Sequence, residues 1–440
     1  MPSSIAPTAP RIDAVQRKLI VGIVIAALLT LAIVTVDLAI GGRPDPPDVR
    51  AAATLLDGAW RFRVGDEARW ADTAFYDGDW ETIDLTAKPG SHDGDVGLPD
   101  YLDGWMARGH AGYQGYAWYR RAITVPTEPR SWVVLGPTRV EDGYELYWNG
   151  ERLGGSGRLG AAPRVVGTRP LRFSLPADAA GTRSVLAVRA YLMPGFGRGA
   201  TSGGLRTAPF LAPAAVGDAL YRAQWQRTIA GYIADAIEPL AMLAVVGLAL
   251  GYRARSTRRS FLIFLGIALL LSAMRRASNA IVSWTDLEDL GTYTWLAAVM
   301  GAPTIAAWTL AWNRWPSRPW KLIDAVAVVL GIAAIVATVI HSANLATASR
   351  WGSIALLVVI AARIVRGGPM RLLASLTLAS IVLVLFGGEL LDPIGVPGIG
   401  FPFGIGVSRT QVLYAIAIPL LACLIVRTLA FDQNPDRSRR

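Results

Sequence analysis

Thr228-Ile-Ala-Gly-Tyr-Ile-Ala-Asp-Ala-Ile-Glu-Pro-Leu-Ala-Met-Leu-Ala-Val-Val-Gly-Leu-Ala-Leu-Gly251 decides how this chain is read. A helix crossing a hydrocarbon core about 30 Å thick needs roughly 20 predominantly apolar residues, and this stretch supplies them. Six further stretches do the same: residues 260–284, 292–312, 322–341, 345–366, 371–391 and 410–431. An eighth, residues 19–40, stands apart near the amino terminus. Its apolar run is longer than the roughly 7 to 15 residues of a signal-peptide core, and no small-x-small cleavage site follows before Gly41-Gly42, so a retained anchor is expected.

The expected fold class is an integral membrane α-helical bundle, one plus seven helices, with an extracytoplasmic all-β domain of jelly-roll or β-sandwich type. In chain order the sequence divides into a cytoplasmic tail (1–18), the anchor (19–41), a proline-rich linker (42–48), the ectodomain (49–214), the seven-helix bundle (215–432) and a second cytoplasmic tail (433–440).

Orientation follows from the basic residues, because cytoplasmic loops carry the excess of Lys and Arg. Arg253, Arg255, Arg258 and Arg259, then Arg314, Arg318 and Lys321, then Arg363, Arg366 and Arg371 occupy alternate loops, and Arg11, Arg17 and Lys18 fall on the same side. The other loops hold Asp286, Glu288 and Asp289 or are nearly uncharged, so both tails are expected inside and the ectodomain outside. The formal charge is +10, yet residues 43–227 hold 22 Lys+Arg against 21 Asp+Glu, which leaves nine of the ten surplus charges in the tails and membrane segments. That surplus sets topology and speaks against a nucleic-acid partner. Arginine outnumbers lysine 40 to 3, a mark of a GC-rich genome, and the expected location is a bacterial cytoplasmic (inner) membrane with lipid around the bundle. The single Cys423 excludes a disulfide within the chain, and three His without clustered Cys give no support to a transition-metal site. No cofactor is expected.

The ectodomain reads as short strands bounded by Gly, Pro, Asp and Asn: residues 60–64, 80–85, 117–125, 131–135, 145–148, 171–175 and 184–190. Asn149-Gly150 is a hairpin signal, since both central residues of a type I′ turn need positive φ.

The run Phe75-Tyr-Asp-Gly-Asp-Trp80-Glu-Thr-Ile-Asp-Leu85, then Gly115-Tyr-Ala-Trp118-Tyr-Arg-Arg121-Ala-Ile-Thr-Val-Pro126, Tyr147-Trp-Asn149-Gly-Glu-Arg-Leu-Gly154 and Ser184-Val-Leu-Ala-Val-Arg189 resembles the sugar-binding, galactose-binding-like β-sandwich at the amino terminus of glycoside hydrolase family 2 enzymes. Such a module followed by seven helices resembles the bacterial seven-transmembrane receptors with diverse intracellular signalling modules, and Ser202-Gly-Gly-Leu-Arg206 with Pro209 looks like their domain junction. The resemblance implies a receptor for a carbohydrate or related ligand. It departs from both families. Family 2 hydrolases carry their two catalytic carboxylates on a barrel that is replaced here by helices, so no enzyme activity is expected. The receptors usually end in an output domain, whereas the last apolar span here ends about nine residues before Arg440; the implied output is a separate cytoplasmic signalling protein. The alternative is a glycan-holding membrane component of a polysaccharide or envelope pathway.

Two sets of residues are candidates for function. Tyr101, Trp105, Arg108, His110, Tyr113 and Tyr116 lie in an irregular glycine-rich stretch where rings can stack on sugar and polar groups can orient it; the competing reading is that they fill the sandwich core. Asp235, Glu238, Arg275, Arg276 and Glu389 lie within predicted spans, where ionisable groups are costly and face the bundle interior. Opposite signs at matched depth predict that Asp235 and Glu238 meet Arg275 and Arg276, either as a structural clamp or as part of a signalling path. Pro239 is expected to kink its helix. Residues 387–406, rich in Gly and Pro, read as an outer loop able to cap the bundle.

Overall fold

The computed structural model describes residues 17, 21–32, 51–94, 98, 100–137, 139–166, 169–194, 200–285, 290–316, 318–340, 342–367, 370–394 and 407–432. The acidic loop at 286–289, the linker at 42–48, the amino-terminal tail except residue 17, the carboxy-terminal tail and most of the proposed capping loop (395–406) lie outside these residues.

Ten strands of the β domain appear among the described residues: β1 (Thr54–Leu55), β2 (Ala59–Val64), β3 (Glu81–Asp84), β4 (Gly115–Thr124), β5 (Trp132–Leu135), β6 (Gly143–Trp148), β7 (Glu151–Ser156), β8 (Arg172–Ser174), β9 (Arg183–Leu192) and β10 (Phe210–Pro213). They build a four-stranded sheet, β1-β10-β5-β8, and a six-stranded sheet, β3-β2-β4-β9-β6-β7, antiparallel throughout. One core is filled from both sheets, with Trp60, Phe62, Tyr119, Leu146 and Val188 from the larger packed with Trp132, Val134, Phe173 and Leu211 from the smaller. Strand alternation explains how β4 serves two cores. Ala117, Tyr119 and Ile123 point into this one, while Trp118 joins Trp70, Trp80 and Ala187 in a second cluster on the outer face. Asn149 and Gly150 take φ of 49° and 90°, as the hairpin between β6 and β7 requires.

That outer cluster exists because residues 66–80 fold back over the sheet around one arginine. Arg120, 2 % exposed, donates to the carbonyl oxygens of Trp70, Asp72 and Phe75 and to the Asp77 carboxylate at 2.9 Å. Its guanidinium also lies over the Phe75 and Trp80 rings.

Eight helices appear among the described residues: α1 (Val21–Ala32), α2 (Ala214–Tyr252), α3 (Arg259–Trp284), α4 (Leu290–Asn313), α5 (Lys321–Val339), α6 (Ala343–Val365), α7 (Arg371–Leu391) and α8 (Arg409–Asp432). Six of them, α2, α3 and α5 to α8, are long and apolar enough to cross a membrane, as in a multi-pass membrane protein. From α2 onward each helix packs on the next, and α8 closes the ring against α2.

The arginine-rich loops gather at one end of the bundle. Arg258 donates to the Trp315 carbonyl and Arg363 to that of Arg318. Asp432, ending α8, accepts from Ser256 Oγ at 2.7 Å, Thr257 N at 3.0 Å and Thr257 Oγ1 at 2.6 Å, placing a carboxylate where the α3 amino terminus favours one. The β domain sits at the other end. Helix α2 starts at Ala214, immediately after β10, so it is far longer than the apolar stretch that announced it. At 1.5 Å per residue its 39 residues span about 58 Å, nearly twice a hydrocarbon core. The additional turns are the root of the β domain. Leu220 packs with Leu135 and Phe210, Gly217 lies against Val133, and Asp218 pairs with Arg172 at 2.5 Å. Helix α2 continues through Pro239 without a break in helical backbone geometry. An irregularity falls in α7, where Phe386 leaves helical geometry at φ −132°, ψ 24° beside Gly387 and Gly388.

Candidate functional site

The intramembrane cluster forms, with one member exchanged. Arg276 of α3 donates through Nε to Glu238 Oε2 at 2.7 Å and through a terminal nitrogen to Asp235 Oδ1, both acids coming from α2. Glu238 is 1 % exposed and Arg276 7 %. Arg275 is exposed and takes no part in these bonds, which corrects the expectation that both arginines join. The reason is helical geometry: adjacent residues point about 100° apart at 3.6 residues per turn, so only one of the two can face α2.

A residue that the sequence reading passed over completes the site. Gln411 of α8 donates through Nε2 to Asp235 Oδ1 at 3.0 Å and to the Gly231 carbonyl at 2.9 Å. Its own orientation is set by a capping box: Ser408 N donates to Gln411 Oε1 at 2.6 Å, and Gln411 N donates to Ser408 Oγ at 3.2 Å. The Ser-x-x-Gln signal was present just ahead of the last apolar run. Ser283 Oγ reaches Asp235 Oδ2 at 3.4 Å, and the Tyr414 ring lies 5.7 Å from the Arg276 guanidinium. Three helices are therefore tied at one level. Asp235 lies seven residues past Thr228, about 10 Å along the helix into the apolar stretch.

Glu389 belongs to a different group, a second correction. It accepts from Arg350 of α6 through both oxygens, Oε2 at 2.8 Å. Arg350 also donates to the Leu385 carbonyl at 2.9 Å and lies over the Phe386 ring, satisfying the backbone where α7 departs from helical geometry. Arg409 of α8 pairs with Asp392 at 2.8 Å, and Gly94 of the β domain lies against that same Asp392 carboxylate. A further bridge joins the two parts: Arg169 donates to the Thr285 carbonyl at 2.9 Å, just past α3.

In the β domain the described contacts tie each of the six candidate residues to its own neighbours. Trp105 is 0 % exposed, wedged under the Gly203-Gly204 backbone with Nε1 donating to the Tyr113 carbonyl at 3.1 Å, so it presents no face to a ligand. Arg108 donates to the Asp103 and Asp84 carbonyls, and His110 contacts Glu81 Oε1 at 2.7 Å. Tyr101 lies beneath the Arg206 guanidinium. Tyr113 OH donates to the Tyr116 carbonyl at 2.7 Å and accepts from Gly65 N at 3.1 Å. These residues pin the irregular stretch to the sheet. Tyr116 alone turns to the outer face, where its hydroxyl donates to the Gly160 carbonyl at 2.8 Å and its ring lies under Arg189.

That outer face holds the charged centre of the domain, which the sequence reading had not assembled. Arg189 donates to Asp66 Oδ1 at 2.8 Å, to Glu145 Oε2 at 2.9 Å and to the Leu159 carbonyl at 2.8 Å. Glu145 also accepts from Arg152 Nε at 2.9 Å and from Tyr147 OH at 2.9 Å. Burial pushes both the Tyr116 and the Tyr147 phenols up to about 12, the Glu145 carboxylate adding to the rise at Tyr147. A cavity of about 430 Å³ opens beside this centre, lined by Glu145, Arg152, Arg158, Leu159, Gly160 and Arg164 among others. A second, of about 470 Å³, lies along β2 and β4.

No protein-family model matches the chain, and no curated protein does. Among solved structures, a β-glucuronidase of Bacteroides uniformis is 22% identical with a TM-score of 0.27, over 36% of this chain and 17% of that one. A glycosyl hydrolase family 2 member from Bacteroides cellulosilyticus is 18% identical with a TM-score of 0.26, over 37% and 20%. A β-glucuronidase of Faecalibacterium prausnitzii is 16% identical with a TM-score of 0.26, over 37% and 31%. The weak structural neighbours are thus family 2 β-glycosidases, and this chain spans less than a third of the length of each of these three.

Proposed function

We propose that this protein is a receptor-like membrane protein of the bacterial inner membrane. Its β domain stands outside and binds a carbohydrate or related ligand, its bundle crosses the membrane as one plus seven helices, and a separate cytoplasmic protein reads the result. The observation that carries this reading is the continuity of β10 into α2. Strand β10 lies inside the smaller sheet, paired on both sides, and α2 delivers Asp235 and Glu238 to the buried Arg276 without an intervening linker. A change in the β domain that tilts β10 must move these carboxylates. With the arginine-rich loops inside, both tails are cytoplasmic. The protein binds and transmits, and performs no hydrolysis.

The test is a glycan array on the full chain in detergent, followed by hydrogen exchange with and without the best saccharide. Changed protection in α2 and in α8 near Gln411 is the expected result. Binding with an unaltered bundle removes the receptor reading and leaves a glycan-holding component of an envelope pathway. An array on which nothing binds removes both.

A further inference from the structure

We propose that the cavity along β2 and β4 is the saccharide site of the β domain, and that it takes a short neutral saccharide through its hydroxyl groups. This rests on the reading of the β domain as a carbohydrate binder and adds the place and the class of ligand.

The cavity lies where the outer face of the larger sheet carries short side chains. Successive residues of a strand alternate between faces, so Ala59 and Arg61 of β2 point outward while Trp60 and Phe62 fill the core. On β4 the outward set includes Arg120 and Ala122, and Ala122 stands opposite Val185 of β9. Thr82, Arg61 and Arg120 stand directly opposite one another across β3, β2 and β4. The remaining lining, Thr73, Phe75 and Asp77, comes from the segment folded back over the sheet, and Arg120 fixes it there through the Asp72 and Phe75 carbonyls and the Asp77 carboxylate. The volume, about 470 Å³, falls within the range of small-ligand sites.

The polar lining offers donors and acceptors together. Arg61 donates through one terminal nitrogen to the Trp80 carbonyl and to Thr82 Oγ1, both at 3.2 Å. Among the described residues its Nε and its other terminal nitrogen make no hydrogen bond. Asp77 receives Arg120 on Oδ2 at 2.9 Å, and its Oδ1 accepts no hydrogen bond among the described residues. Thr73 is exposed, with a hydroxyl that both donates and accepts. A sugar hydroxyl has the same double capacity, and charged partners make the stronger bonds to it. Arg120 is spent on the folded-back segment, which leaves one guanidinium and one carboxylate of opposite sign for the ligand. An anionic saccharide would gain Arg61 and be repelled by Asp77, whereas neighbouring hydroxyls of a neutral one can use both. Phe75, Ala59 and Ala122 supply apolar contact for the C–H side of the ring.

The cavity beside Glu145 is less suited to hydroxyl groups. Its carboxylate already receives Arg152 on one oxygen and Tyr147 with Arg189 on the other.

The experiment uses the full chain in a detergent without a sugar headgroup and four probes by calorimetry: cellobiose, maltose, lactose and cellobiouronic acid, which is cellobiose with one primary alcohol oxidised to a carboxylate. At least one neutral disaccharide should bind, and the acid should bind more weakly than cellobiose. R61Q should reduce the affinity by about tenfold, the loss of a hydrogen bond from a charged donor. A122L, which fills the cavity from an exposed strand position, should abolish binding with the melting point unchanged, and A59L repeats that test from β2 should A122L lower the melting point. A161L, placed in the other cavity, should bind as the natural chain does. Binding that survives R61Q, A122L and A59L, or that A161L alone removes, overturns the location and leaves the carbohydrate reading intact. Tighter binding of the acid than of every neutral probe overturns the ligand class. If none of the four probes binds, the inference is overturned, and the glycan array decides the wider reading independently.

Discussion

Removing the charge of Arg276 should damage the bundle far more than removing the charge of either acid it holds. Arg276→Gln leaves Asp235 and Glu238, neighbours on one face of α2, as two buried negative charges without the guanidinium between them. Glu238→Gln leaves one acid on one guanidinium, and the new amide can still accept from Arg276 Nε. At an effective dielectric constant of 20, unit charges 4 Å apart interact by about 4 kcal/mol, and breaking a buried pair costs about 3–5 kcal/mol. The expected losses are therefore about 3–5 kcal/mol for Arg276→Gln and about 1–2 kcal/mol for Glu238→Gln. The double mutant removes one of the two uncompensated charges, so it should be more stable than Arg276→Gln alone. Arg275→Gln is the internal control: an exposed side chain outside the cluster should change stability by no more than about 0.5 kcal/mol.

The assay is thermal unfolding of the purified full-length variants in one detergent, arranged as a double-mutant cycle and repeated with Asp235→Asn. Additive losses for Arg276 with each acid would show that the groups do not interact and would refute the geometry. So would a loss for Arg275→Gln equal to that of Arg276→Gln.

Arg120→Gln should cost the β domain about 3–5 kcal/mol, because it strips a buried charge from Asp77 and leaves three carbonyls without their donor; limited proteolysis should then cut within residues 66–80 before the sandwich unfolds. Trp105→Ala should lose about 3–5 kcal/mol of domain stability as a core cavity, and an unchanged melting point would return Trp105 to the surface. Stability of the β domain should fall as pH rises from 10 toward 12, since the Tyr116 and Tyr147 phenols are protonated in the fold up to about 12 and ionise near 10 when unfolded. Their contribution is complete below pH 10, and Tyr147→Phe should flatten the alkaline decline measured by tryptophan fluorescence. A phosphatase fused after Arg255 should be inactive and one fused after Thr285 active in a host with an oxidising periplasm; the reverse pattern inverts the topology.

The apolar stretches were legible because length and hydropathy survive without tertiary information: α7 matches its expected bounds, and the other helices of the bundle proper differ by one or two residues at most ends. The start of α2 was not legible. Residues 214–227 are polar enough to resemble a linker, and their helicity is supported by packing on β5, β8 and β10, which no local pattern announces. Seven strands followed their turn residues, β7 was implied by the Asn149-Gly150 hairpin signal without bounds, and β1 and β10 were missed. In the candidate sites, sign and depth predicted that Asp235 and Glu238 find an arginine; choosing between Arg275 and Arg276 required the rotation of α3. The Asp66–Arg189–Glu145 centre joins residues from distant parts of the chain, and only the pairing of β9 with β6 and the return of residues 66–80 bring them together.

The same cluster limits how a signal can pass. A one-turn slide of α2 moves its side chains by about 5.4 Å and brings Gly231 and Ala234, or Pro239 and Met242, to the places of Asp235 and Glu238. None of these can accept from Arg276 through a side chain, so the guanidinium would be left buried and unpaired at a cost of about 3–5 kcal/mol. Coupling between two binding sites is typically about 1–3 kcal/mol, too little to drive that slide. A tilt or a rotation of a few degrees is different, since contacts of 2.7 to 3.0 Å can lengthen slightly while donor and acceptor stay matched. On the receptor reading, α2 therefore acts as a stiff lever pivoting at Asp235 and Glu238, and hydrogen exchange on ligand binding should alter its two ends while leaving the amides around the pivot protected. Loss of protection centred on residues 235–238 would point to a register change and set this limit aside.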